Sequence, residues 1–563
     1  MNKKFLLPFL AMAAIFAFTA CSGKLTPLNN QHIKAEPQPL EAHNDEVSVL
    51  MSATFPAKWF NKNATVTITP VLRYATGETW GTAYTFQGDK VKANNQVVSF
   101  AGGGNATMRS RFDYKPAMRK SELFLTFDAK IKNKSVKLPD IKIADGVIAT
   151  SKFASAATAN PAIGADKFQR IIKENYDADI MFLIQQAELR SSELNKKGIT
   201  EWKNLVENAN QAPNQNVAVE VSAYASPDGG VKLNDALAGR RESATTGYLN
   251  KELSRRNVNV PIAANYTAQD WEGFRDLVSK SNIQDKDLVL RVLSMYTDPA
   301  EREQRIKDIS TVFKVLADEI LPQLRRSRLT AIVETIGKSD AEIAKLARDA
   351  AGSLNVEELL YAATLTNNPA EKETIYTKAS TIFPNDYRPW NNIGMQRYRA
   401  GDFTKAEEMF NKSNSVRNNS EANINLGLLA LQKGDKARAQ QLFGSASGVP
   451  ALGEALGLLY LMQGDYARAV SSFAGTKSNN AALAQILTRD YSTAAQTLNA
   501  LTQPDAITDY LKAIVAARTN DANGVVSNMR AAIGKDRALA KEAASDLEFA
   551  KFMTNPAFTD LLR

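Results

Sequence analysis

The sequence predicts a multidomain chain with an N-terminal β-sandwich, a central α/β domain and a C-terminal all-α repeat solenoid. Three observations predict it. Thr65 to Tyr74 alternates and is rich in β-branched residues, and Gly, Asn, Asp and Pro punctuate the flanking sequence. A strand at 216–224 runs through the turn Ser226-Pro-Asp-Gly-Gly230 into a helix over 233–253. Gly-Asp-x-x-x-Ala-x-x-x-Phe occurs at Gly401–Phe410, Gly434–Phe443 and Gly464–Phe473, at steps of 33 and 30 residues.

The chain opens with Lys3 and Lys4 and an apolar run from Phe5 to Phe18, interrupted only by Pro8. That run is too short to span a bilayer as a stable helix and reads as a secretory signal. Phe18-Thr19-Ala20-Cys21 resembles a bacterial lipobox, with Phe18 where leucine is usual. The resemblance implies that residues 1–20 are removed and that Cys21 carries acyl chains, palmitate among them. Cys21 is the only cysteine in the chain, and acylation removes the liability of a lone exported thiol. Two or more acyl chains make a stable anchor. Residues 21–44 hold Pro27, Pro37 and Pro39 without periodicity, and are expected to form a disordered tether. No acidic run follows Cys21. In some Gram-negative lipoproteins such a run marks surface export, so the expected location is the periplasmic face of the outer membrane.

The formal charge is +9. Residues 45–150 carry 15 Lys/Arg against 9 Asp/Glu, a net of +6, while residues 356–563 carry 22 against 21, a net of +1. The basic excess therefore sits in the first folded domain, where an anionic surface would attract it. Nucleic acid is not an expected partner behind a signal peptide. The only histidines are His32 and His43. Both lie in the expected tether, so the folded body is expected to build no Ser-His-Asp triad, Cys-His pair or histidine-rich zinc site. No motif for carboxylate-only or Ser-Lys catalysis stands out, and no enzyme activity, metal or cofactor is expected.

Residues 45–153 form the expected β-sandwich, with further strands at Val97–Phe100 and Leu123–Phe127. Gly102-Gly-Gly104 lacks the Lys-Ser/Thr of a phosphate loop and reads as a turn. Ala154 to Gly164, mostly Ala, Ser, Thr and Asn, reads as a linker.

Residues 165–338 alternate strand and helix. Strands are expected at 177–184, 216–224, 260–266 and 328–334, and helices at 196–210 and 233–253, with a charged helical insertion around 298–320. The stretch from Val217 to Ala244 resembles the OmpA C-terminal-like domain, whose members bind peptidoglycan. Tyr224, Gly229, Asn234, Leu237 and Arg241 match its motif, and Arg325-Arg326 resembles the start of its last strand. The family's ligand-binding aspartate falls on Ser226 here. That aspartate and the arginine clasp the zwitterionic end of diaminopimelate. The resemblance implies a peptidoglycan site at Ser226, Asp228, Asn234 and Arg241, with Asp228 the substitute anion two residues on.

Residues 356–563 carry the repeat. Each copy is preceded by a small residue, Gly394, Gly427 or Gly457, and the pattern resembles the tetratricopeptide repeat of 34 residues. Degenerate units are expected at 361–384, 490–498 and 505–533. Such solenoids bind proteins on a concave face, and Asn391, Met395, Ile424, Leu428 and Leu431 are the expected groove residues. Taken together, these readings describe a lipid-anchored envelope scaffold, with the OmpA-like module facing peptidoglycan and the repeats holding a protein partner. A second reading is a non-catalytic subunit of a secretion or outer-membrane assembly complex with a degenerate OmpA-like module. A third is a cell-wall enzyme using carboxylates.

Overall fold

The structure is a computed structural model that describes residues 25–563. The expected signal segment and Cys21 lie outside the described residues. The chain divides into two compact units. One joins the N-terminal region up to Ala165 with Pro369–Arg563, and the other is Asp166–Asn368. The expected boundary at 356 moves accordingly, because the helix Val356–Ala362 belongs with the central unit.

The strands of the N-terminal region are β1 (Ile33–Glu36), β2 (Leu40–His43), β3 (Glu46–Phe55), β4 (Ala64–Tyr74), β5 (Gly77–Trp80), β6 (Tyr84–Gly88), β7 (Gln96–Val98), β8 (Gly104–Asp113), β9 (Ser121–Ile131), β10 (Lys134–Val136), β11 (Ile141–Asp145) and β12 (Val147–Ile148). They form a five-stranded sheet, β1-β3-β2-β12 with β8 on β3, and a seven-stranded sheet, β10-β9-β4-β6-β7 with β11 on β9 and β5 on β4. Val47, Val49 and Met51 of β3 share one core with Val66, Ile68 and Leu72 of β4 and Leu123 and Leu125 of β9.

The expected tether is corrected from residue 25 onward. Leu25 and Leu28 are buried in this core, the Trp59 indole donates to the Thr26 carbonyl at 2.8 Å, and β1 and β2 both pair with β3. Ile33, Ala35, Leu40 and Ala42 face inward in a two-residue alternation. Pro37 and Pro39 split that alternation into two short runs, which hides it in the sequence.

The central unit holds a four-stranded sheet of β13 (Ile171–Met181), β14 (Gln215–Tyr224), β15 (Ile262–Thr267) and β16 (Arg326–Ile336), in the order β13-β16-β14-β15. Only the β14–β15 pair is parallel. The helices Lys197–Gln211 and Val231–Arg255 bring Trp202, Val206, Leu249 and Leu253 onto Val219, Val221, Leu329 and Ala331. Helices between β15 and β16 begin at Trp271, earlier than expected, and bury Phe274, Val289, Leu293, Ile306 and Leu316 in a core of their own.

Helix pairs then stack from Tyr387 to Lys535, and the repeat motif explains their geometry. The glycine gives the left-handed turn between the two helices, at φ +77° for Gly401, +80° for Gly434 and +82° for Gly464. The next aspartate caps the second helix. Asp402, Asp435 and Asp465 accept from the N–H groups of Lys405, Arg438 and Arg468 at 3.2, 2.9 and 3.1 Å. Two further pairs keep this turn without glycine. Arg489-Asp490 and Asn520-Asp521 adopt φ of +66° and +60° and make the same cap. The alanine and phenylalanine of the motif close the seam, and Ala406, Phe410, Ala439, Phe443, Ala469 and Phe473 are all buried.

The β region docks on the C-terminal end of this array. Arg119 pairs with Glu542, the Thr150 hydroxyl donates to Glu548 at 2.5 Å, and Phe153 packs on Tyr510 with ring centroids 4.9 Å apart. Beneath that contact, the Asp546 carboxylate accepts from the Tyr510 hydroxyl at 2.9 Å. Burial pushes the pKa of Asp546 up to about 6. A carboxyl with a raised folded pKa binds its proton more tightly in the fold than in the unfolded chain. Its ionisation therefore removes stability as pH rises from about 4 to about 6, by roughly 3 kcal/mol in all. Asp546→Asn should lack this dependence. Its stability relative to wild type, from urea midpoints, should improve between about pH 4 and 6 and level off above that. A constant difference would show that Asp546 ionises as it does in water.

Candidate functional site: the repeat groove and the central clasp

The first helices of the repeat pairs line a groove, and the groove is filled. Residues 154–164, expected as a linker, lie along it as a strap. Two positions before the small residues Gly394, Gly427 and Ala482 stand Asn392, Asn425 and Asn480. Each side-chain amide makes two hydrogen bonds to one strap residue, as a neighbouring β-strand would. Asn480 accepts from Ser155 N–H at 3.0 Å and donates to its carbonyl at 2.8 Å. Asn425 does the same at Ala162, at 2.6 and 2.8 Å, and Asn392 at Gly164, at 2.8 and 2.9 Å. Asn391 adds a donor to the Ala162 carbonyl at 3.0 Å and accepts from Asn425 at 2.9 Å. The Tyr398 hydroxyl donates to the Ala156 carbonyl, and burial pushes its pKa up, which keeps it protonated.

The strap turns once at Ala156–Ala159 and then runs irregularly to Gly164. Ala156, Ala159 and Ala162 are buried and join the repeat core, while Thr158, Asn160 and Ile163 are exposed. A side chain at Gly164 would place its Cβ 2.9 Å from Arg388 Cβ. The groove thus admits alanine-sized residues at every third position and glycine at its end. Of the expected groove residues, Asn391 reaches the strap. Met395, Ile424, Leu428 and Leu431 are buried packing, the last three in the core that the strap alanines complete. The sequence reading missed Asn392, Asn425, Asn480 and Tyr398. The signal for the asparagines was their fixed position ahead of the small residue.

In the central unit, the strand–turn–helix brings Ser226, Asp228 and Asn234 together. The Ser226 hydroxyl donates to Asp228 at 2.5 Å, and Asn234 Nδ2 donates to the carbonyls of Ser226 and Gly229 at 3.0 and 2.8 Å. The charge partner of Asp228 is Arg325, at 3.0 Å, which also reaches Ser226 at 3.3 Å. Arg241 is fully buried. Its Nε, Nη1 and Nη2 donate to the carbonyls of Gln186, Tyr224 and Leu183 at 2.9, 2.8 and 3.1 Å, and its guanidinium lies 4.9 Å from the Phe182 ring. Burial, with Arg325 nearby, pulls its pKa down to about 10, still a cation at neutral pH, and Asp228 opposes the shift. A cleft of about 690 Å³ opens beside this network, lined in part by Tyr224, Asp270, Trp271, Arg326 and Arg328. Its two most buried charges, Asp270 and Arg326, pair at 3.0 Å.

Among the described residues, no group of three or more His, Cys, Asp or Glu is placed to hold a metal ion. No helix among them is long and apolar enough to cross a membrane.

No family model matches the chain, and no curated protein does. Solved structures similar to it include a tetratricopeptide repeat protein from Parabacteroides merdae, at 16% identity and TM-score 0.28 over 40% of this chain and 90% of that one. The APC/C hetero-tetramer Cut9–Hcn1 is similar at 16% identity and TM-score 0.28, over 66% of this chain and 82% of that one. Yeast Tom70 is similar at 10% identity and TM-score 0.26, over 59% and 77%. The C-terminal region resembles tetratricopeptide repeats, and that description rests on its own turns, caps and helix pairs.

Proposed function

We propose that this chain is a non-catalytic scaffold of the Gram-negative cell envelope, anchored through acylated Cys21 to the periplasmic face of the outer membrane, whose repeats hold a segment of protein. One observation carries the protein-holding part. The groove asparagines bond peptide backbone in pairs, which is chemistry for gripping a chain and not for transforming one. The anchor rests on the apolar leader and on Cys21 being the only cysteine. Cys21→Ser should leave the protein unprocessed or soluble, with its fatty-acid label lost on fractionation. Full membrane retention of the variant with the label intact would overturn the anchor.

The peptidoglycan role of the central unit rests on its resemblance to the OmpA C-terminal-like domain. The burial of Arg241 under three carbonyls and the pairing of Asp228 with Arg325 favour the second reading, an outer-membrane assembly subunit with a degenerate module. On that reading the protein does not sediment with purified sacculi. Sedimentation abolished by an Arg325 or Asp228 substitution would restore the peptidoglycan role. Crosslinking from the repeats in intact cells, followed by identification of the captured protein, tests the scaffold itself.

A further inference from the structure

We propose that the repeat groove is an exchangeable peptide site whose resident ligand is the chain's own strap, residues 155–164. Its occupant in a complex is then a partner's segment of the same make: uncharged, irregular, with alanine-sized residues at every third position and glycine near the end. This deepens the reading that the repeats hold a protein segment, and rests on it.

Three features carry the inference. First, the grip is directed at backbone. Asn480, Asn425 and Asn392 each take one N–H and one carbonyl of the strap, groups that every peptide except at proline offers in the same geometry. Second, what selects among peptides is size and charge. Ala156 and Ala162 are each 1% exposed and Ala159 5%, so a larger residue there meets packed core, and an unpaired charge meets a strong desolvation penalty. No charged residue occurs from Phe153 to Ala165. Third, the strap has no regular structure of its own between Ala159 and Gly164. The groove side chains hold it, and an equivalent segment could replace bond for bond what it loses. Its covalent tether at both ends gives it an effective concentration on the order of 1 mM. A free segment with a Kd on the order of 10 μM is thereby excluded about a hundredfold until the strap is displaced.

The test uses the full chain and a fluorescent peptide of residues 154–165, followed by anisotropy. Two strap variants are made. Ala162→Glu puts an unpaired charge at the Asn425 position, and the other replaces 155–164 with Gly-Ser repeats of equal length. Either variant, folded by circular dichroism, should bind the peptide about a hundredfold more tightly than wild type. Adding Asn425→Ala to the variant should abolish that binding, and a peptide carrying Ala162→Glu should not bind. A folded strap variant that ignores the peptide overturns the proposal, because the strap is then a connector. Failure of both variants to fold also overturns it, because the strap is then permanent core. If the peptide fails while in-cell crosslinks from the repeats still capture a protein, exchange falls and the scaffold stands. If the peptide binds and no protein is captured, the site stands and the scaffold falls.

Discussion

Replacing Arg241 with alanine is expected to destabilise the central unit by several kcal/mol, because it removes three hydrogen bonds from a charged donor, each worth about 1.5–3 kcal/mol. The side chain is fully buried, and its three nitrogens hold carbonyls from the segment after β13 and from the end of β14. Alanine would take a donor from each of those carbonyls, leaving Leu183 the Gln186 N–H at 3.2 Å, and would open a cavity beside Phe182. Lysine would keep the charge but could not span three acceptors from one nitrogen, so Arg241→Lys should recover little. Arg240, the next residue on the same helix, faces solvent, and Arg240→Ala should change stability by no more than about 0.5 kcal/mol. Hydrogen exchange in β14 and in the helix Lys197–Gln211 reads the effect locally. If Arg241→Ala left exchange unchanged yet abolished sacculus sedimentation, the arginine would be a ligand group and not an internal brace.

Those carbonyls mark the limit of what the sequence could show. The motif from Val217 to Ala244 places Ser226, Asp228, Asn234 and Arg241 correctly on turn and helix. It cannot show that Arg241 turns inward to backbone, because carbonyls have no residue identity. The strap is illegible for the same reason. Its composition of Ala, Ser, Thr and Asn matches a flexible linker, and the groups that bind are its amides. The repeats were legible because each conformational demand selects a residue type: glycine for the left-handed turn, aspartate for the cap, alanine and phenylalanine for the seam. Asn391 and Ile424 share one position relative to their glycines, and the bonding asparagines sit one residue further on. That shift is why Asn425 was missed while Ile424 was chosen. The early part of β13 was missed because residues 171–177 are exposed on both faces, so no alternation survives there.

Gly427→Leu is expected to separate the helices Ser420–Gln432 and Lys436–Gly444, at a cost of more than about 3 kcal/mol. A Cβ at Gly427 would lie 2.3 Å from Phe443 Cε1 and 2.7 Å from Cδ1, so even alanine forces the ring aside, in the range of about 1–3 kcal/mol for overpacking. Leucine adds three carbons to a space already closed. The equivalent glycines grade the effect: a Cβ at Gly394 would meet Phe410 at 2.6 Å, and one at Gly457 would meet Phe473 at 2.8 Å. Alanine substitutions should therefore cost most at 427, less at 394 and least at 457 in urea unfolding. Gly534 supplies the contrast. It lies in the helix Ala522–Lys535 with nothing within 4 Å of its Cβ position, so Gly534→Ala should stabilise, by up to about 1 kcal/mol from helix propensity. Truncating the ring isolates the clash, because Phe443→Ala combined with Gly427→Ala should cost less than the sum of the two single changes. Equal costs at all three glycines, or strict additivity with Phe443, would place the clash elsewhere. The wedge should also reach the groove. Asn425 stands two residues before Gly427 on the same helix and holds both backbone groups of Ala162. A helix displaced by the Phe443 ring carries that amide away from the strap. Gly427→Ala should therefore raise hydrogen exchange at the Ala162 amide, and it should admit the 154–165 peptide more readily than wild type does.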